Sequence, residues 1–316
     1  MELENVVSEH QAINHTPATV DEHVNSQKIA AVIVSYHPEL GNLTTLIKEL
    51  KRQQVSSVLV DNGSLEASAV ESLSELATVV RLPENVGIAK AQNIGIEYAR
   101  EKHCAQLIVF FDQDSHIDEH FMTGLLKDYA QISATERLAA IGPIFTDSRY
   151  GFHYPLIRVN KLGWRSKVRP QFQDAPFEVS MIISSGSLIP VAVLSDVGDM
   201  DESLFIDYVD TEWCLRAIAK GYKVYAATSA KMSHAIGDKA IKVLAWHVPV
   251  HSAFRRYYRL RNGLLLARMK HIPPLIKVRE NVFNAIHQVL LIATQPNKKT
   301  HLATWCRAVK DGISSK

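Results

Sequence analysis

From Lys28 onward, short apolar runs alternate with amphipathic stretches. Lys28–Tyr36 (KIAAVIVSY) is a β-branched apolar run whose length suits a buried strand. Pro38 and Gly41 break it, and Asn42–Leu50 then sets Leu43, Leu46, Ile47 and Leu50 on one helical face. Val55–Val60 reads as a second strand, ending in the turn Asp61-Asn62-Gly63-Ser64. The pattern continues with a helix over Leu65–Leu76, a strand over Val79–Leu82, a helix over Ile88–Lys102 and a strand over Ala105–Phe111. Strands that alternate with helices predict an α/β fold with a mainly parallel, doubly wound sheet flanked by helices. Such sheets bind ligands at the carboxyl ends of their strands. Ser35, Asp61, Asp112 and Asp114 fall at those ends.

Beyond Phe121 the periodicity loosens. Residues 143–178, with Pro143, Pro155, Pro170, Pro176, Trp164 and several basic residues, read as an excursion over the ligand face. Ser180–Pro190 reads as a strand, Leu204–Gly221 contains a helix that Gly221 can cap, and Tyr222–Ala226 is a strand. Basic, aromatic and apolar segments follow Pro249. The organisation expected is a loose polar arm over residues 1–27, one catalytic domain over 28–250, and a basic helical extension over 251–316.

Charge changes this picture at one end. The net charge is +2, yet the residues from His251 on carry 13 Lys/Arg and 2 Asp/Glu, which leaves the body acidic. A basic end on an acidic body suits a polyanionic surface such as anionic lipid or nucleic acid, or is a solvated helical face. The three cysteines, Cys104, Cys214 and Cys306, are too scattered for a disulfide framework or a zinc site. No run approaches the length of a membrane span, and the N-terminus carries no apolar signal. The expected location is the cytoplasm, with peripheral contact at the inner face of the cell membrane.

Four segments carry candidate chemistry. Phe110-Phe111-Asp112-Gln113-Asp114-Ser115 sets two carboxylates two residues apart after a buried strand. They can address one hard divalent cation, or cap the next helix. Leu82–Ile96 (LPENVGIAKAQNIGI) has small residues that let a helix approach the sheet, and Asn85 can bond a ligand or the backbone. It lacks the dinucleotide-binding glycine spacing. In Ser184-Ser185-Gly186-Ser187 the strand-to-helix elbow of a nucleophilic serine is missing, so the glycine reads as a bend that exposes backbone. Phe205–Gly221 clusters Asp207, Asp210 and Glu212 before a helix, as dipole-favoured acids or as a base aimed into a cleft. His234 and the basic, aromatic Tyr257–Asn262 stretch have packing readings beside ligand ones, and no nucleic-acid module is recognisable.

Taken in order, VIVSYHP, VLVDNGS, ENVGIAKAQNIGI, FFDQDS, ISSGSLI, ESLFIDYVDTEWCLRAIAKGY, KMSHAIG and FRRYYRLRNGLLLAR resemble family 2 glycosyltransferases of the GT-A fold, in their bacterial rhamnosyltransferase branch. The resemblance implies an inverting, metal-dependent transferase. Its donor would be a nucleotide-diphosphate sugar, dTDP-L-rhamnose by the branch, and its acceptor a hydroxyl of a cell-surface polysaccharide or lipid-linked glycan. It implies Asp210 as general base. Ser35, Tyr36, Asp61, Asn85, Gly87, Asp112 and Arg261 would bind the donor. Asp114 and His234 would ligate Mg²⁺ or Mn²⁺, and Ser185, Gly186 and Glu212 would stand on the acceptor side. Many relatives have an acid directly before the base, where this chain has Val209, so Asp207 and Glu212 stay open as alternatives. A nucleotidyltransferase on a sugar phosphate and a non-catalytic membrane or polyanion module are the competing classes.

Overall fold

The protein is described by a computed structural model covering residues 27–147, 153–234, 240–243, 246–249 and 252–314. All of the expected N-terminal arm except Gln27 lies outside the described residues. The first half runs β1 (Ile29–Ser35), α1 (Leu40–Arg52), β2 (Ser56–Asp61), α2 (Ala67–Ser74), β3 (Thr78–Arg81), α3 (Ile88–His103) and β4 (Leu107–Asp112). Each matches a run expected from the sequence. Glu39 starts α1 by accepting the backbone N–H groups of Gly41 and Asn42, and Lys51 and Arg52 close it where the helix dipole favours cations.

The second half departs from the expectation. Where periodicity was expected to fade, the chain forms α4 (Phe121–Ser133) and β5 (Leu138–Asp147). Helix α4 buries Phe121, Met122, Leu125, Tyr129 and Ile132, a plain helical spacing. The excursion is narrower than read: β5 claims its first residues, followed by the hairpin β6 (Leu156–Val159) and β7 (Arg165–Val168), then β8 (Phe177–Val179). Only Leu188–Pro190 of the expected strand 180–190 is strand, β9, because Ser184–Ser187 turns. Then come α5 (Val191–Val197), α6 (Val209–Ala219), a long β10 (Lys223–His234), β11 (Ala240–Val243), β12 (Trp246–Pro249) and the helices α7 (Ala253–Arg268), α8 (Pro274–Thr294) and α9 (Lys298–Ser314).

Eight strands form one sheet in the order β3-β2-β1-β4-β9-β5-β10-β8. β3, β2, β1 and β4 are parallel, as are β5 and β10, while β9 runs antiparallel between β4 and β5. Successive residues of β1 enter different cores: Ala30, Val32 and Val34 pack on one face, Ala31 and Ile33 on the other. Both faces are therefore covered, and only the strand ends are left to meet a ligand. Among the described residues no helix is long and apolar enough to cross a membrane.

Helix α3 lies close to the sheet because Gly95 has no Cβ: one there would stand 2.4 Å from Val32 Cγ1 and 3.2 Å from Val60 Cγ2. Gly95→Ala is expected to lower stability by about 1–3 kcal/mol through overpacking, read as a lower denaturation midpoint. An unchanged midpoint would show that the layer can relax.

Candidate active site

A cavity of about 640 Å³ opens at the carboxyl end of the sheet. Asp112 at the end of β4, Ile88 and Gln92 of α3, Ser184 of the turn before β9, and Asp207, Tyr208 and Asp210 around the start of α6 all line it. Leu156, Ile157 and Arg165 of the β6–β7 hairpin wall one side, and Arg255, Arg259, Ile276 and Glu280 of α7 and α8 another. This size suits a small polar ligand.

The approach to α6 is strained. Phe205, Asp207 and Tyr208 have φ values of 62°, 63° and 67°, a region that non-glycine residues seldom occupy. The C-terminal helices hold them there. Asn262, fully buried on α7, donates its amide to the carbonyls of Leu204 at 2.7 Å, Ile206 at 2.8 Å and Asp207 at 3.2 Å. Arg255 and Arg259 reach the Asp207 carboxylate at 3.2 and 3.4 Å. The Tyr208 hydroxyl donates to Glu280 at 3.0 Å and accepts from Asn284 at 2.9 Å. Burial pushes the Tyr208 pKa up, which keeps that hydroxyl a donor. On the other side of the strained residues, the Phe205 carbonyl accepts Ile88 N–H at 2.7 Å, and a Cβ at Gly87 would strike the Phe205 ring.

Asp210 is delivered from the first turn of α6. Its Oδ1 accepts Thr211 N–H at 2.7 Å. Burial pushes its pKa above the usual carboxylate range, and nearby Asp207 adds to the rise. The Thr211 and Ser184 backbone hydrogen bonds oppose it without cancelling it. A proton acceptor of raised basicity therefore faces a cavity that Asp112 also lines.

The other sequence-expected residues divide by place. Ser35, Asp61 and Asp112 share the strand-end rim, since Ser35 pairs with Asp61 and Val34 with Asp112. Tyr36 N–H donates to Gln113 at 2.6 Å, and the ring is exposed there. Asp61 does not line the cavity. It is fully buried, and its carboxylate accepts Ser64 N–H and O–H and Leu65 N–H, which organises the loop after β2. Asn85 accepts from Asn62 at 3.0 Å and joins that loop to the start of α3. Asp114 is exposed, and its carboxylate has no hydrogen bond or ion pair among the described residues. Ser185 bonds Ser115 at 2.7 Å, and Gly186, at φ 73°, donates to the Phe110 carbonyl, so these two tie the turn to the β4 end. His234 closes β10 beside Asp147, and its side chain lies outside the described residues.

Arg261 and Glu212 are also absent from the cavity wall, each engaged by neighbours of its own. Arg261 donates to the Ser203 carbonyl and to Asn262, with its guanidinium over the Tyr258 ring. Glu212 is buried against Arg216 and His271, both at 2.8 Å. Burial alone would raise its pKa, but those two partners hold it below the usual range. Arg255, Arg259, Arg165 and Gln92 reach the cavity instead, and sequence reasoning passed over them. The signal for the first two was present: positions 255 and 259 are four apart on a helix and share a face, from which 261 points away. The side-chain Oγ of buried Ser35 and the Oε1 of buried Gln92 have no hydrogen-bond partner among the described residues. An unmet buried polar atom costs roughly 1–3 kcal/mol, which a bound molecule can recover.

The layered α/β sheet with an acidic carboxyl rim is the GT-A architecture of glycosyltransferases. The protein resembles the crystal structure of GalNAc-T7 with UDP, GalNAc and Mn²⁺ (TM-score 0.54, 15% identity, 86% of this chain and 58% of that one). It resembles the crystal structure of S. aureus TarS 1-349 to the same degree (TM-score 0.54, 16% identity, 90% of this chain and 80% of that one). Residues 31–198 match the model for glycosyl transferase family 2, and the chain belongs to that family. It is 45% identical over 290 residues to the dTDP-rhamnosyl transferase RfbF of Shigella flexneri, across 91% of this chain and 96% of that protein.

Asn262→Ala is expected to strip the Leu204, Ile206 and Asp207 carbonyls of their shared donor. The cost is about 1–3 kcal/mol of stability, with turnover falling further than donor affinity as Asp210 loses its placement. A denaturation curve together with separate kcat and donor-binding measurements checks this. Unaltered kcat would show that the loop holds itself.

Proposed function

We propose that the protein transfers L-rhamnose from dTDP-L-rhamnose, with inversion, to a hydroxyl of a cell-surface polysaccharide or lipid-linked glycan at the inner face of the cell membrane. The observation that carries this reading is that Asp112 and Asp210 line one cavity while burial raises the basicity of Asp210. The donor rests on the 45% identity to the Shigella dTDP-rhamnosyl transferase.

In this reading Asp210 accepts the proton of the acceptor hydroxyl as that oxygen attacks the anomeric carbon. The sugar–phosphate bond breaks on the opposite face, and the nucleoside diphosphate leaves with the electron pair. The base and ribose lie along the rim at Tyr36, Ser35 and the loop ordered by Asp61, with Asn85 and Gly87 shaping the far side. Gln92 offers to a sugar hydroxyl its Oε1, which has no partner among the described residues. Arg255 and Arg259 hold the neighbouring Asp207 carboxylate in ion pairs at the cavity wall. The Ser115–Ser185 bond fixes the acceptor-side turn against the β4 end.

The donor set after β4 fits a hard divalent cation. Asp114 is an exposed carboxylate without a partner among the described residues, two residues from Asp112 on the cavity wall. No cluster of three protein ligands occurs among the described residues. That is ordinary for Mg²⁺, which takes one or two carboxylates and completes its shell with water and substrate phosphate. Asp112 and Asp114 would hold the ion, with His234 as a further contact. Bound there, it would supply electrostatic stabilisation of the leaving diphosphate.

Asp210→Asn is expected to leave donor binding nearly intact and to lower kcat by about 10²–10⁴-fold. Turnover within a few-fold of wild type removes Asp210 as the base. Only the carboxylate form accepts a proton, and its pKa is raised, so the acid limb of kcat should lie above the ordinary carboxylate value of about 4. The sign for stability is opposite. A raised folded-state pKa contributes stability that is full below the unfolded value and lost as pH rises through the folded one. Asp210→Asn should therefore melt higher than wild type at neutral pH, with the difference gone in acid. A second assay follows released nucleotide: EDTA or Asp114→Ala should suppress nucleoside diphosphate release, and Mn²⁺ or Mg²⁺ should restore only the EDTA-treated wild type. Full turnover in EDTA excludes the ion, and release of pyrophosphate would point to nucleotidyl transfer.

A further inference from the structure

Helix α8 is turned inside out. Its buried positions are Ile276, Glu280, Asn284, Gln288 and Leu291, so its inward face is largely polar. Its exposed side carries Leu275, Val278, Val282, Ile286 and Val289. At about 100° per residue the two sets lie on opposite sides of the helix. The inward polarity has a reason, since Glu280 and Asn284 hold Tyr208 while Gln288 meets the buried Arg256 at 3.0 Å. Among the described residues nothing covers the outward stripe.

The stripe continues past the helix. Leu275 N–H donates to the Leu162 carbonyl at 3.0 Å, which seats the tip of the β6–β7 hairpin on the start of α8, and Arg165 pairs with Glu280 at 3.0 Å. That tip presents Leu162 and Trp164, 65% and 69% exposed. Hairpin and helix thus offer one apolar surface with a tryptophan at its edge.

Charge selects what covers it. Residues 156–172 and 268–299 contain eleven Lys/Arg and a single acid, Glu280. Glu280 is buried, whereas Lys161, Lys167, Arg169 and Lys270 are exposed. A two-fold pairing of two copies would set this basic rim against itself. An anionic lipid surface complements both features, because apolar and aromatic groups enter the interface while Lys and Arg meet headgroup phosphates.

We propose that the β6–β7 tip and the outer face of α8 seat the protein on an anionic bilayer. Leu162, Trp164, Val278, Val282 and Ile286 would lie in the headgroup layer. The same hairpin and helix wall the cavity through Leu156, Arg165, Ile276 and Glu280, so docking brings the site to the plane where a lipid-linked acceptor resides. The placement of the acceptor rests on the transferase reading, while the docking itself does not.

The test is flotation of the full chain with phosphatidylglycerol-rich and with pure phosphatidylcholine vesicles. Wild type should float with the first, weakly with the second, and be released by salt. Leu162→Ser with Trp164→Ser, and separately Val282→Ser with Ile286→Ser, should lower vesicle binding about tenfold or more. Nucleoside diphosphate release with a water-soluble acceptor should stay at the wild-type level in both variants, which shows that they fold. Wild type that stays unbound, or variants that float equally, overturn the proposal. So does a wild-type dimer in sedimentation that the same substitutions dissociate while vesicles are ignored. Vesicle binding in a chain without transfer to any acceptor would sink the transferase reading and leave the docking standing.

Discussion

The hydrogen bonds from Asn262 hold the site together. Its one amide group spans the carbonyls of Leu204, Ile206 and Asp207 and holds the chain where Phe205, Asp207 and Tyr208 must adopt left-handed backbone. Such conformations cost of order 1–3 kcal/mol each and persist only when the surroundings over-determine them. Those surroundings are α7 and α8. The arginines of α7 fix Asp207, and Glu280 and Asn284 of α8 fix Tyr208. What the strain achieves is the entry angle of α6. A carboxylate in the first turn of a helix is ordinarily made more acidic by the dipole. At Asp210 the loss of water outweighs that effect, and the pKa goes up. The C-terminal helices are thus a structural part of the site.

That dependence explains an otherwise odd interior. Arg256 is fully buried, a placement that costs several kcal/mol per ion unless the charge is met by good hydrogen bonds. Gln288 Oε1, the Asn284 carbonyl and His287 meet it. Burial lowers its pKa to about 10, so it stays charged at neutral pH. A polar, directional contact between α7 and α8 fixes rotation and register in a way that an apolar seam does not. Residues 255, 259 and 262 can reach the strained loop only if that rotation is fixed. The polar face turned inward leaves the apolar residues outward, so the stripe on α8 follows from the demands of the site.

The first half of the fold was legible because local and global preferences agree there. β1, β2 and β4 are short β-branched runs buried on both faces, and α1 carries three core leucines and one isoleucine at helical spacing. α4 carried an equally clear spacing but starts at His120 without a side-chain cap, and no break marked its beginning. The turn at Ser184–Ser187 was hidden because its flanks are apolar and Ser187 closes back on the Ser184 carbonyl. In the site, Asp112 and Asp210 could be picked out as acids at element ends. Asp61 could be located but its partners could not, since a carboxylate that orders its own loop and one that binds a ligand look alike in a string of letters. Arg261 and Arg259 differ only by helical phase, and the phase of α7 depends on the unusual polar face of α8. The inverted helix broke the rule by which inward and outward faces are told apart.

The rim runs from Asp61 to Asp112, and only its Asp112 end opens on the cavity, which constrains how a donor can lie. Asp61 stands on β2 and Asp112 on β4, with β1 between them. Strands lie about 4.8 Å apart, so the two positions are separated by about 10 Å. A nucleotide sugar is an extended molecule with base, diphosphate and sugar in sequence. In the proposed reading a donor laid across β2, β1 and β4 would set its base beside Tyr36 and the loop ordered by Asp61, and its diphosphate beside Asp112 and Asp114. The sugar is then the only part left to enter the cavity that Asp210 lines. A donor in the reverse direction would put its sugar by a fully buried Asp61 whose carboxylate is already engaged by Ser64 and Leu65, away from Asp210. On the transferase reading proposed above, this strand order favours one direction for the donor, with its sugar end toward α6.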